Sequence, residues 1–197
     1  FNEIEQSFIT NDVCLLHGVT SSGKTEIYIH LIQKMLNKGK QVLYLLPEIA
    51  LTTQIIKRIK KFFGNQVGVF HSRVSNSKRV EVWNAVQQNI QGKRKYSIVI
   101  GARSALFLPF DNLGLIVVDE EHDTSYKQHN PNPKYNARDA AIYLAKLHQS
   151  KVLLGSATPS LESYFNAQTN KYSLVNLNQR YGNVLLPEIQ CIDIRKS

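Results

Sequence analysis

Residues 18–25 read Gly18-Val19-Thr20-Ser21-Ser22-Gly23-Lys24-Thr25, a glycine, four residues, then Gly-Lys-Thr, and they follow the apolar run 13–16. A buried strand that feeds this turn and then a helix restricts the chain to an α/β arrangement with a P-loop at the strand's end. The residue types follow from the ligand. A polyphosphate is wrapped by backbone N–H groups, and glycine lets the chain turn tightly with no Cβ in the way. Gly18, Thr20, Ser21, Ser22, Gly23, Lys24, Thr25 and Glu26 are therefore the expected nucleoside triphosphate contacts. Within that set Lys24 reaches the β- and γ-phosphates, Thr25 offers a hydroxyl to Mg²⁺, and the opening helix turns its positive end toward the anion. Alone, the pattern also fits a chance Gly/Ser turn, so the rest of the chain decides.

Apolar runs at 13–16, 42–46, 67–70, 98–100, 115–118 and 152–154 alternate with segments of helical period at 24–36, 52–63, 78–89, 137–148 and 160–167. Runs that are apolar throughout suit strands buried on both faces of a parallel sheet. The stripes Ile27/Leu31/Met35, Ile55/Ile59/Phe62 and Ile142/Ala145/Leu147 support the helices. Gly39 is placed to close the first helix and Pro159 to open the last. The expected fold is a doubly wound, mainly parallel α/β domain. From 171 onward the pattern changes to short runs at 172–177 and 187–194, read as peripheral strands, while 123–136 is a long polar loop.

The chain has 197 residues, 43% of them apolar, enough for the core of one domain. Its 24 Lys and Arg against 15 Asp and Glu give a formal charge of +9, which favours a polyanionic partner such as nucleic acid. Cys14 and Cys191 lie in apolar segments without a second Cys or His at ligand spacing, so they read as buried hydrophobes and no zinc site is expected. No apolar run is long enough to cross a membrane, and nothing reads as a signal peptide. A reducing, cytoplasmic setting is the expectation.

The run 115–118 ends in Asp119-Glu120-Glu121-His122, which puts acidic groups at the carboxyl end of a buried strand, where open α/β sheets bind ligands. As the second half of an ATP site, Asp119 would hold Mg²⁺ and Glu120 would orient and deprotonate the attacking water. Lys24, Asp119 and Glu120 are thus the expected catalytic set, with Thr25 and Asp119 the metal ligands. The run 152–154 likewise ends in Gly155-Ser156-Ala157-Thr158-Pro159, which in isolation is an ordinary turn and helix cap.

In this order the three motifs resemble the DEAH-type superfamily 2 helicases. The segments Leu46-Pro47-Glu48-Ile49-Ala50-Leu51-Thr52, Phe70-His71-Ser72, Ile100-Gly101-Ala102-Arg103-Ser104-Ala105-Leu106-Phe107 and the ten residues 119–128 narrow the likeness to the primosomal protein N′ family of bacterial replication-restart helicases. The resemblance runs over about 13–194 and covers the first RecA-like, ATP-binding lobe. That family carries a DNA-binding region before this lobe, and a second RecA-like lobe with a zinc-binding insertion after it, so the chain reads as a fragment, 171–197 leading toward the second lobe.

The resemblance implies an ATP-dependent 3′ to 5′ DNA helicase acting on single-stranded and forked DNA together with replication-restart proteins. His122, Ser156 and Thr158 would couple the ATP site to DNA movement, and Thr52, Arg103 and Ser104 would meet DNA phosphates. The polar loop resembles an aromatic-rich loop that senses single strands. Tyr126 and Tyr135 offer stacking faces there, and Lys127, Lys134 and Arg138 offer cations. Arg138 and Asp139 are equally suited to capping and salt-bridging the start of the next helix. Ser21 stands where the family has glycine, so a positive φ at that position would be strained, and Lys134 and Asn136 replace the family's usual Arg and His. Gln6 is not assigned the adenine-reading role. Two other readings stay open: a nucleotide-gated docking module without hydrolysis, and a different superfamily 2 DNA translocase.

Overall fold

A computed structural model describes residues 1–48, 53–90 and 93–180. In chain order the elements are α1 (Asn2–Thr10), β1 (Val13–Gly18), α2 (Lys24–Asn37), β2 (Gln41–Leu45), α3 (Thr53–Phe63), β3 (Val67–Phe70), α4 (Asn76–Gln87), β4 (Asn89–Ile90), β5 (Lys93–Arg94), β6 (Ile98–Gly101), β7 (Leu113–Asp119), β8 (Lys127–Gln128), β9 (Tyr135–Asn136), α5 (Ala137–Leu147), β10 (Lys151–Ser156), α6 (Leu161–Gln168) and β11 (Ser173–Leu177). Seven strands form one sheet in the order β11-β1-β10-β7-β2-β6-β3, and every adjacent pair is parallel. The expected doubly wound α/β fold is present.

Alternation along the strands builds two cores. Leu15, Leu43, Leu45, Ile116, Val118 and Leu154 face one side, with buried Val82 and Val86 of α4 and Ala141 and Ala145 of α5. Their neighbours Cys14, Leu16, Val42, Tyr44, Leu115, Val117 and Leu153 face the other, with Ile4 of α1, Tyr28, Leu31 and Ile32 of α2 and Ile59 and Phe63 of α3. Burial pushes the Cys14 thiol up to about 11, against a weaker opposing hydrogen bond involving Ser7, as befits a packing residue. Cys191 and the run 187–194 lie outside the described residues.

Several details depart from the sequence reading. The first helix, α1, was not expected; its Ile4 is fully buried, Phe8 packs beside it one turn later, and Lys34 of α2 pairs with Glu5. In α3 the core residue is Phe63, while Phe62 is exposed, because the buried stripe drifts by one position along the helix. Leu147 at the end of α5 is exposed. Pro159 precedes α6 and its cap is Ser160, whose side chain accepts from the Ser163 N–H. The run near 172–177 is edge strand β11, paired to β1, and its end reaches the P-loop, where the Val19 N–H donates to the Leu177 carbonyl at 3.2 Å. Gly39 lies just past α2 with φ of 67°, as a helix terminator should.

Between β1 and β2 the chain crosses two strands, so the ends of β1, β10 and β7 lie side by side at a topological switch. The crossing is secured at the opposite end of the sheet by Gln41, which is 1% exposed. Its amide donates to the Val86 carbonyl at 3.0 Å and accepts from the N–H groups of Asp111 and Asn112 at 3.1 Å each. Gln41→Leu keeps the bulk and removes these bonds. Equilibrium urea denaturation is expected to show a loss of about 1–3 kcal/mol, the combined worth of these hydrogen bonds.

Candidate nucleotide site

The P-loop follows from local backbone demands. Gly23 adopts φ of 88° and stands before α2 with no side-chain cap on that helix, leaving its first N–H groups for a ligand. A Cβ on Gly18 would meet the Ser22 Oγ at 2.8 Å and the Leu177 side chain at 3.2 Å, so the turn closes only around glycine. Ser21 has φ of 63°, the strained conformation foreseen where a glycine is replaced. Lys24 folds its ammonium back over the turn, donating to the Gly18 carbonyl at 2.7 Å.

A cavity of about 580 Å³ is lined by Thr20, Ser21, Ser22, Gly23, Lys24, Thr25, Glu26, Arg58, Asp119 and Glu120. The seven P-loop residues and the two carboxylates expected from sequence are therefore gathered into one place, with Gly18 at the base of the turn. Arg58 of α3, paired with Glu26, was not foreseen, since nothing in its own segment marks it. The Ser22 Oγ is buried without a hydrogen-bond partner among the described residues. That orphaned hydroxyl, the uncapped helix start and the ammonium fit a polyphosphate, and the hard oxygens of Thr25 and Asp119 fit Mg²⁺.

β7 delivers three successive carboxylates, and each is treated differently. Asp119 accepts from the Tyr28 hydroxyl on Oδ1 at 2.9 Å and from the Tyr44 hydroxyl on Oδ2 at 3.0 Å. Burial raises its pKa, opposed by those hydroxyls and by Lys24. Burial first, and then Asp119 itself, holds both phenols well above their ordinary range, so they remain donors. Glu120, at φ of 49°, turns toward the cavity; burial and then the Asp119 charge raise its pKa, moving it toward the range useful for a proton acceptor near neutrality. Glu121 points away and is 2% exposed. It accepts from the Ser160 N–H and hydroxyl at 2.7 and 3.0 Å, from the Ser163 hydroxyl at 2.8 Å and from Arg138 at 3.2 Å.

His122 bridges the acidic box and the end of β10. Its Nδ1 lies 2.7 Å from the Ser156 Oγ and 3.7 Å from a Glu120 carboxylate oxygen, while Nε2 is 3.4 Å from the Thr158 Oγ1. The three residues expected to couple are in mutual contact. Gly155 keeps this corner closed, because a Cβ there would collide with the Tyr28 hydroxyl.

The segment 123–136 forms a short 3₁₀ turn and the β8–β9 hairpin, and it corrects the stacking role expected of Tyr126. Tyr126 is 1% exposed, and its hydroxyl donates to the Asp119 carbonyl at 2.7 Å; its ring is core and offers no stacking face. Arg138 is buried at 8% exposure and bound to Glu121, Asp139 and the Ser160 hydroxyl, the salt-bridging arrangement at the start of α5 that the sequence also allows. Tyr135 remains half-buried, its ring edge-on to exposed Phe107 at 5.5 Å between centroids, and Lys127 is exposed. Arg103 donates to the carbonyls of Ser125 and Lys127 at 3.0 and 3.3 Å, tying the hairpin to the end of β6, and Ser104 lies beside it, partly exposed. Thr52 lies outside the described residues.

The fold and this cavity define a RecA-like P-loop domain with its nucleotide pocket at the carboxyl edge of a parallel sheet. The DEAD/DEAH box helicase family model matches residues 2–166, and the chain belongs to that family. Among curated relatives it is similar to "Replication restart protein PriA" of Bacillus subtilis, 47% identical over 184 residues, which cover 93% of this chain and 22% of that protein. The protein of the same name from Rickettsia prowazekii is 51% identical over 187 residues, covering 95% of this chain and 28% of the relative. The chain thus spans roughly a quarter of the length of these relatives. Among solved structures, RecG bound to a three-way DNA junction superposes with a TM-score of 0.62 at 22% identity, covering 90% of this chain and 22% of that one. A DEAD box protein from Methanococcus jannaschii gives 0.54 at 17% identity, covering 85% and 46%. These two likenesses show the fold.

Two substitutions test the local geometry. Ser21→Gly is expected to stabilise the domain by about 1 kcal/mol in thermal or urea unfolding, by removing the left-handed strain. Gly155→Ala is expected to destabilise it by about 1–3 kcal/mol, since Tyr28 is wholly buried and has no room to yield.

Proposed function

We propose that the chain is the ATP-binding motor lobe of an ATP-dependent 3′ to 5′ DNA helicase acting in replication restart and primosome assembly in the bacterial cytoplasm. The observation that carries the reading is the convergence of Lys24, Thr25, Asp119 and Glu120 on one cavity, with His122, Ser156 and Thr158 in contact behind it. Lys24 and the N–H groups of the turn bind the phosphates. Thr25 and Asp119 would hold Mg²⁺, which when bound shields phosphate charge and polarises the γ-phosphate. Glu120 orients a water and takes its proton, its raised pKa favouring that role. His122 reports the state of Glu120 to the end of β10 through Ser156 and Thr158.

The DNA path would cross the carboxyl ends of β2, β3 and β6, where His71, Ser72, Arg103 and Ser104 lie, with Thr52 close in sequence and Lys127 and Tyr135 on the hairpin. The formal charge of +9 suits a nucleic-acid partner. Replication-restart proteins, as the names of the relatives suggest, are the proposed protein partners. The whole of 1–197 is read as one lobe, with 171–197 leading toward a second. The zinc site of the family would lie in that further part of the protein.

Among the described residues lining the cavity the cations are Lys24 and Arg58, and Arg58 is matched by Glu26. Phosphoryl transfer gains several orders of magnitude from an arginine brought in by a second lobe. Titration of this chain with Mg·ATP and Mg·ADP is expected to show binding abolished by Lys24→Ala, with very slow phosphate release. DNA-stimulated turnover of about 1–100 s⁻¹ by the isolated chain would refute the single-lobe reading.

A further inference from the structure

Tyr28 and Tyr44 are fully buried, yet each spends its hydroxyl on the same carboxylate. Their rings meet edge-on, 5.6 Å apart between centroids, and phenylalanine would fill that space equally well. The hydroxyls are therefore not explained by packing. Tyr28 rises from α2 one turn after Thr25, and Tyr44 comes from β2, the strand beside β7. Two elements of different origin thus converge on the one side chain that shares the cavity with Lys24 and Thr25. Gly155 completes the arrangement by leaving room for the Tyr28 hydroxyl.

The two oxygens of Asp119 are not equivalent. Oδ1 accepts from Tyr28 at 2.9 Å and from the Glu120 N–H at 3.1 Å, which uses its two lone pairs. Oδ2 accepts from Tyr44 alone among the described residues, at 3.0 Å, and keeps one acceptor position. We infer that Tyr28 and Tyr44 are positioning residues for the divalent ion of the nucleotide site, fixing the Asp119 carboxylate so that Oδ2 is the oxygen presented to the metal shell. Tyr28 locks the rotation by holding Oδ1 against the P-loop helix. Tyr44 sets the direction and the donor strength of Oδ2. Outer partners of this type govern metal affinity while leaving direct nucleotide contacts alone.

This rests on the nucleotide-site reading above, and the test keeps the two apart. Binding of a fluorescent ADP analogue is measured in EDTA and across a Mg²⁺ titration for the parent chain, Tyr28→Phe and Tyr44→Phe, with folding followed by near-ultraviolet circular dichroism. Both variants are expected to keep the affinity seen in EDTA, because Lys24 and the turn are untouched. The Mg²⁺ concentration at half-effect is expected to rise about 10–100-fold in each. Folded variants that stay within about threefold of the parent in Mg²⁺ requirement overturn the inference, as does an equal loss with and without metal, which marks a purely structural role. Should one variant not fold, the other decides by the same criteria. A parent chain that binds no nucleotide in either condition removes the site reading itself, an outcome visible before any tyrosine is changed.

Discussion

Three consecutive carboxylates at the end of a buried strand set the central electrostatic constraint on this domain. Taking a carboxylate out of water costs several kcal/mol unless hydrogen bonds or a cation replace the solvent. Asp119 is supplied by phenols and Glu121 by serine hydroxyls, a helix-terminal N–H and Arg138. Glu120 between them adopts a left-handed backbone and stays partly in solvent. The turn that separates the three side chains also separates their surroundings: one is held by two phenols, one lines the cavity, and one is buried in an ion pair. Much of the surrounding architecture answers that problem. α2 and β2 bring the tyrosines, α5 brings the arginine and α6 brings its N-terminus.

The sheet order makes this economical in space. Parallel strands bring their carboxyl ends to one edge, and the crossing between β1 and β2 leaves β10 and β7 next to the P-loop strand. The register pairs Gly155 with Asp119 and Leu16 with Gly155, so the three motifs are neighbours through backbone pairing before any side chain acts. The His122, Ser156 and Thr158 contacts then follow from adjacency of strand ends.

Much of this was legible in the sequence because it rests on local rules. Unbroken apolar runs gave the sheet, helical stripes gave α2 to α6 within a few residues, and the spacing of glycines and lysine gave the P-loop. The strain at Ser21 could be read because only glycine takes positive φ without cost. What could not be read depends on partners distant in sequence. α1 is short and has a single fully buried side chain, and the cue for it, Ile4 and Phe8 one turn apart with Glu3 and Glu5 in the first turn, is weak. Tyr126 and Arg138 look alike to a sequence reader whether they face solvent or core. Tyr126 is buried because the turn after the acidic box brings its hydroxyl back to the Asp119 carbonyl, and Arg138 because the start of α5 meets Glu121 and Ser160; a polar loop of fourteen residues does not announce that path. Tyr28, Tyr44 and Arg58 carry no motif at all. They matter through what stands opposite them, Asp119 for the tyrosines and Glu26 for the arginine.

Edge strand β11 runs alongside β1 in the same direction, and its last residue holds the first turn of the P-loop through Leu177 and Val19. Parallel strands pulled along their length resist as a whole ladder, since every bond between them is loaded together. A tug on the chain after Leu177 is thus carried sideways into β1 and arrives at the phosphate-binding turn with little give. Edge strand and phosphate-binding turn are thus joined backbone to backbone, so that a displacement of the turn would load the β11 ladder before any side chain is involved.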